Sequence, residues 1–157
     1  MRRKTLPILA MFTSALSFCL VATPAPADDN LRGTWKVVTS LNGGKKQAGA
    51  IGQKFVIGSG RVTPAGQPIK LSPTYKVDTK SKPHTIDITY FGYRKNAVLR
   101  LLGIYKVDGD TLTVCYVPLP VGDAVKLALP FKRPTGFASA AGSGVVLQTF
   151  TRVKAKK

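Results

Sequence analysis

The chain has 157 residues with 24 Lys or Arg, seven Asp, no Glu and a single His, for a formal net charge of +17. Acid–base machinery that needs several histidines or glutamates is excluded, and the one His and the one Cys (Cys115) left once the N-terminal Cys19 is cleaved away cannot build a zinc site within one chain. The charge favours anionic neighbours, while a solvated basic surface is the plainer reading, because the basic residues are dispersed along the chain.

The first 27 residues read as an export signal. Arg2, Arg3 and Lys4 form a positive start, residues 6–22 an apolar run, and Ala25 and Ala27 the small residues that precede cleavage before Asp28. The run is short and interrupted by Thr13, Ser14 and Ser17, so a permanent transmembrane helix is the weaker reading. A twin-arginine signal lacks the aromatic expected after "RRKTL", and the bulky Phe18 disfavours lipid attachment at Cys19. The expectation is a protein exported to the periplasm or the cell exterior, with no transmembrane segment after cleavage. Residues 28–153 form one domain and 154–157 a frayed basic tail. Loss of the signal leaves 130 residues, a net charge of +14, and Cys115 alone without a disulfide partner, in a chain expected to be monomeric.

Apolar periodicity is two nearly everywhere downstream. "GTWKVVTS" (33–40) opens the series; "QKFVIG" (53–58), "GRVTP" (60–64), "TYKVD" (74–78) and "HTIDITY" (84–90) follow. "RLLGIYKV" (100–107), "TLTVCYV" (111–117) and "VVLQTFTRV" (145–153) complete it, with "LNGG", "GSG", "KSKP", "VDGD" and "AAGSG" as turn signals between. About eight strands at this spacing predict an all-β antiparallel sandwich or up-and-down barrel. "PLPVGDAVKLALPFKRP" (118–134) breaks the rhythm: Val121, Ala124, Val125, Ala128 and Leu129 are spaced for a turn or two of amphipathic helix, or for a structured loop packed on the core.

The hairpin "YKVDGDTLTVCYV" (105–117) has two registers. A two-residue Asp108-Gly109 loop sets Val107 opposite Asp110 and Tyr105 opposite Leu112; a glycine bulge sets Ile104 opposite Leu112. The first is preferred because it gathers Leu101, Gly103, Tyr105, Val107, Leu112, Val114 and Tyr116 on one apolar face. Either way Cys115 lies on the other face, where a thiol covered by "RPTGF" (133–137) is favoured over an exposed one.

No residue stands out as catalytic, and no metal or cofactor is expected. His84 sits at a strand start, and "DGD" (108–110) is ordinary turn chemistry rather than a calcium loop. "YFGYRKNAVLR" (90–100) interleaves aromatics with Arg94, Lys95 and Arg100 as single-strand nucleic-acid binders do, but an export signal argues against nucleic acid as the partner.

Gly33-Thr34-Trp35 on the first strand and Arg152 on the last resemble the Gly-x-Trp and arginine signature of the lipocalins and their calycin relatives, in which the arginine packs on the indole and closes one barrel end. "LRGTWKVV", "KPHTIDIT", "LLGIYKVDGDTLTVC", "RPTGFAS" and "GSGVVLQTFTR" together resemble an uncharacterised bacterial domain family abundant in planctomycetes, short and often exported. The resemblance covers nearly the whole mature chain; residues 117–131 look longer than that family's usual link. It implies an eight-stranded lipocalin-like barrel and no established activity. The function expected is a non-enzymatic binding protein of the cell envelope. Tyr105, Leu112, Val114 and Tyr116 would line the interior and Val125 and Leu129 the mouth, around a small apolar or amphipathic ligand. The alternative is a closed, inert core with Arg94, Lys95, Arg100, Lys132 and Arg133 docking an anionic envelope polymer, lipid headgroups or an acidic protein.

Overall fold

The computed structural model describes residues 29–58, 60–66, 72–92, 96–121 and 132–154. The described residues form nine strands: β1 (Gly33–Asn42), β2 (Lys45–Lys46), β3 (Lys54–Gly58), β4 (Arg61–Pro64), β5 (Thr74–Asp78), β6 (His84–Phe91), β7 (Ala97–Asp108), β8 (Thr111–Pro120) and β9 (Val146–Arg152). Consecutive strands pair antiparallel from β3 onward, β1 pairs with β3, and β9 returns to pair with β1, so the sheet closes on itself. β2 is a two-residue arm on the far end of β1. The result is an all-β, antiparallel, eight-stranded up-and-down barrel, one of the two architectures that the alternation allows and the one that the Gly-x-Trp and arginine resemblance implies. Closure removes the unpaired sheet edges that an open meander of these strands would present. Among the described residues there is no helix long and apolar enough to cross a membrane.

The β7–β8 hairpin takes neither of the two expected registers. Asp108 pairs with Thr111, Val107 with Leu112, Tyr105 with Val114 and Gly103 with Tyr116. The loop is therefore Gly109-Asp110, with Gly109 at φ +55 as its first residue, where a tight turn matched to strand twist needs a positive φ. This register lies two residues from the preferred one. A slip of two leaves every side chain on its original face, so the inward set survives the correction. β8 also runs further than expected. Pro118 and Pro120 continue it opposite Leu101 and Leu99, beyond the point where the β9 ladder ends at Tyr116 and Val146. A strand bonded on one side tolerates residues that lack an N–H. Residues 122–131, which include Val125 and Leu129, lie outside the described set.

Inside the barrel, Trp35, Val37, Ile57, Val62, Tyr75, Ile86, Tyr105, Leu112, Val114 and Phe150 form one buried cluster with Leu31 beneath it. Phe55 meets Phe150 edge to face with ring centroids 6.2 Å apart. The alternation on β1 is reset by a bulge between Val37 and Thr39, which leaves Val38 exposed and turns Ser40 inward, to 1% exposure.

One end of the barrel is closed by interlocking contacts. The Trp35 indole N–H donates to the Leu31 carbonyl at 2.8 Å, and the Arg152 guanidinium lies 4.2 Å from the indole centroid. Arg152 also donates to the carbonyls of Arg32 (2.6 Å) and Asn30 (2.7 Å). Gly33 is at φ +132, and a Cβ there would stand 2.8 Å from Arg152 Nη1. The Gly-x-Trp and arginine pattern thus has a steric basis: the guanidinium crosses the space a side chain would fill. Asp110 joins the plug from the hairpin loop, 3.6 Å from Arg152 Nε and 2.9 Å from Lys154 Nζ. Asp110 is therefore more than turn chemistry, and Lys154, expected in the frayed tail, is held against it.

Outside the barrel, residues 132–140 form a strap across β6, β7 and β8. Arg133 Nη1 lies 2.6 Å from Asp87 Oδ1 and donates to the Gly103 carbonyl at 2.6 Å. Cys115 is fully buried, with Sγ 3.6 Å from the Ala138 carbonyl, and Ile104 opposite it is 1% exposed. The covered thiol expected from the sequence is what the fold provides, with Ile104 as its cross-strand neighbour.

Candidate functional site

Strand parity sends the side chains at 55 and 57, 86, 88 and 90, 112, 114 and 116, and 148 and 150 toward the barrel axis. They do not fill it. A cavity of about 210 Å³ remains, with Trp35 among the residues at its base. Phe55, Ile57, Val62, Ile86, Ile88, Leu101, Leu112, Val114 and Phe150 form its apolar wall. Its polar lining comes from Gln53, Tyr90, Tyr116 and Gln148, which belong to the strand ends away from the Trp35 plug. The indole N–H is already committed to Leu31, so the base presents only ring surface.

The polar side chains at the mouth are connected. The Tyr116 hydroxyl donates to Gln148 Oε1 at 3.5 Å, a long contact, and Gln148 Nε2 donates to the Ser40 hydroxyl at 3.2 Å. Gln53 Nε2 donates to the Gly49 carbonyl at 2.9 Å. Opposite Tyr116, Gly103 leaves room for the ring: a Cβ at 103 would come within 3.0 Å of Tyr116 Cβ. Burial, and secondarily the neighbouring Tyr90, push the Tyr116 phenol up to about 12, and burial raises Tyr90 as well. Both phenols therefore remain neutral donors at any physiological pH. Among the described residues the cavity lining carries no charged side chain.

Of the interior residues expected from the sequence, Leu112, Val114 and Tyr116 line this cavity. Tyr105 does not. It is 1% exposed and packs edge-on to His84 at 5.6 Å, filling the barrel toward the plugged end. Val125 and Leu129 at the expected mouth, and Arg94 and Lys95 of the expected basic surface, lie outside the described residues. Arg100 is exposed on the outward face of β7 opposite Thr89, and Lys132 is exposed at the start of the strap. Arg133 departs from the expectation of a docking residue: it is a latch, spent on Asp87 and on the backbone of β7. Among the described residues no group of three or more His, Cys, Asp or Glu could hold a metal ion.

Sequence reasoning missed Gln53, Tyr90 and Gln148. Parity carries the signal for the last two, since Tyr90 continues Ile86 and Ile88, and Gln148 sits between the inward Val146 and Phe150. A polar residue in phase with a buried apolar face marks either a satisfied core group or the rim of a cavity. The same signal holds for Gln53, which is in phase with the inward Phe55 and Ile57 of the expected strand 53–58, although β3 itself begins at Lys54. The chain matches no protein-family model, no curated protein and no solved structure.

Proposed function

We propose that the protein is an exported, non-enzymatic binding protein of the cell envelope that holds a small apolar or amphipathic ligand inside its barrel. The observation that carries this reading is the unfilled apolar cavity above a plugged end. An apolar cavity of roughly 150 Å³ in another protein stays dry and takes up benzene, so 210 Å³ corresponds by proportion to about eight heavy atoms. That is a single substituted ring or a short alkyl chain, well below the pocket volumes typical of drug-sized ligands. Export rests on the basic start, apolar run and small residues of the first 27 positions.

The test is thermal denaturation of the protein with a panel of small apolar compounds, for example 1-hexanol, 1-heptanol and toluene, with native mass spectrometry of protein purified from its own envelope. A binder raises Tm with concentration, by the equivalent of about 2.7 kcal/mol at a hundredfold excess over Kd. Val114→Phe, which puts a ring into the cavity, should abolish the rise. A Tm that stays flat across the panel, with no co-purified mass, would reject the reading.

A second reading has its own observation. Lys36 and Lys54 stand directly opposite one another on the outer face of β1 and β3, a like-charge pairing that a bound polyanion would relieve. Lys76 and Arg100 flank an outer groove of about 200 Å³ with Thr74 and Thr89, although Asp87 also lines it. Surface docking to an anionic polymer or acidic protein follows from this, and requires binding that collapses as salt rises.

A further inference from the structure

Beyond the cavity mouth lies a second hollow of about 280 Å³, with Ser40, Asn42, Gln47, Gln53, Tyr116 and Gln148 as its polar lining. Three of these, Gln53, Tyr116 and Gln148, also line the inner cavity, so the two spaces meet across them. The vestibule exists because of two local features. The β1 bulge turns Ser40 inward, and the β1–β2 turn carries the chain back so that Gln47 donates its backbone N–H to the Ser40 carbonyl at 2.9 Å.

Its chemistry is specific. Four carboxamides and two hydroxyls line it, and among the described residues no charged side chain does, in a chain with 24 Lys and Arg. Each carboxamide offers an acceptor oxygen and two N–H donors, the complement of a hydroxyl that donates and accepts. A carboxylate seated here would find donors but no cation, and an ammonium would find acceptors but no anion. Desolvating either without a partner is costly.

We propose that the vestibule recognises an uncharged, multiply hydroxylated head group, so that the ligand is a short alkyl or aryl glycoside with its apolar part in the inner cavity. This assignment rests on the reading of that cavity as a ligand site, and it names the ligand class that the reading leaves open. Tyr116 and Gln148 mark the junction between apolar part and head. Ser40, already accepting from Gln148, anchors the rim.

The experiment is a titration of the whole protein, by calorimetry at neutral pH, with four compounds sharing one chain: 1-heptanol, heptyl β-glucoside, heptanoate and heptylammonium. The glucoside should bind at least about tenfold tighter than heptanol, and both ions at least about tenfold weaker, each factor being about 1.4 kcal/mol. Asn42→Leu combined with Gln47→Leu, both at exposed positions of the rim, should reduce the glucoside affinity toward that of heptanol. Heptanol binding without a glucoside advantage, or heptanoate binding as tightly as the glucoside, overturns the head-group assignment alone. Failure of heptanol itself to bind overturns the cavity reading and this one with it.

Discussion

Replacing Gly33 by Ala tests the plugged end where sequence pattern and geometry meet. The backbone at φ +132 is costly for any residue with a Cβ, of order 1–3 kcal/mol. The new methyl also stands 2.8 Å from Arg152 Nη1 and must push the guanidinium aside. Arg152 then loses some of its contact with the indole, a cation–π interaction of roughly 0.5–2 kcal/mol. Its hydrogen bonds to the Arg32 and Asn30 carbonyls weaken too; at this partly exposed site each contributes about 1 kcal/mol. Arg152→Ala alone should therefore cost about 2–4 kcal/mol, and Gly33→Ala a similar amount. The double variant separates the causes. With Arg152 gone the methyl meets nothing, only backbone strain remains, and the double cost should fall short of the sum by about 1–2 kcal/mol. Equilibrium urea unfolding of the wild type, both single variants and the double variant measures all four terms. Costs that add to within about 0.5 kcal/mol would show that the two residues do not share the space the structure gives them.

Two further predictions concern the outer face and the hairpin loop. Burial raises the Cys115 thiol above its ordinary 9.0, and the strap covers it, so a thiol reagent should label native protein orders of magnitude more slowly than unfolded protein. Arg133→Met removes the latch on Asp87 and Gly103 and should speed native labelling about tenfold, for roughly 1.4 kcal/mol of easier local opening; equal rates in native and unfolded protein would refute the cover. The Lys154 ammonium, bonded to Asp110, and Arg152 nearby hold the Asp110 carboxyl below its ordinary 3.8. The folded value lies below the unfolded one, so the stabilisation is present above about pH 4 and is lost as pH falls through the folded value. Asp110→Asn should therefore lower stability at pH 7 and flatten the acid limb of a Tm–pH profile, and an unchanged limb would show that the pair contributes nothing there.

The eight barrel strands were legible because alternation is a direct consequence of one wet and one dry face. Closure was legible from one pair of residues: Trp35 and Arg152, 117 positions apart in sequence, pair across β1 and β9, so naming their contact names the seam. The hairpin register was not legible, since "DGD" allows a turn centred on either side of Gly109 and the apolar pattern is identical after a shift of two. Face assignments survived for the same reason. The cavity lay beyond reach because it depends on volumes summed over eight strands. Tyr105 and Tyr116 share an apolar face, yet Tyr105 packs against His84 and fills the barrel, while Tyr116 reaches the rim. The bulge at Val38 was hidden as well, because "KVVTS" alternates plausibly in either phase, and it is the bulge that brings Ser40 inside.

The basic surface and the neutral cavity answer to different variables, which makes the two functional readings separable in one protein. Exposed lysines such as Lys36, Lys54 and Lys76 act on their surroundings through solvent, where the screening length shortens from about 30 Å at 0.01 M salt to about 8 Å at 0.15 M. Docking through them must weaken steeply over that range. The vestibule and cavity hold no charged lining side chain among the described residues, so a neutral ligand there meets short-range packing and amide hydrogen bonds that salt barely touches. On the proposed reading, a neutral ligand in the cavity would not compete with anions drawn to the basic surface. Such anions would find no charged lining side chain beyond the rim among the described residues, and desolvating them without a partner is costly. Titrating heptyl β-glucoside in the presence of a soluble polyanion follows directly. Glucoside affinity that holds constant while the polyanion binds places the two ligands on independent surfaces. Mutual displacement would place the polyanion across the mouth and make the basic surface part of the site.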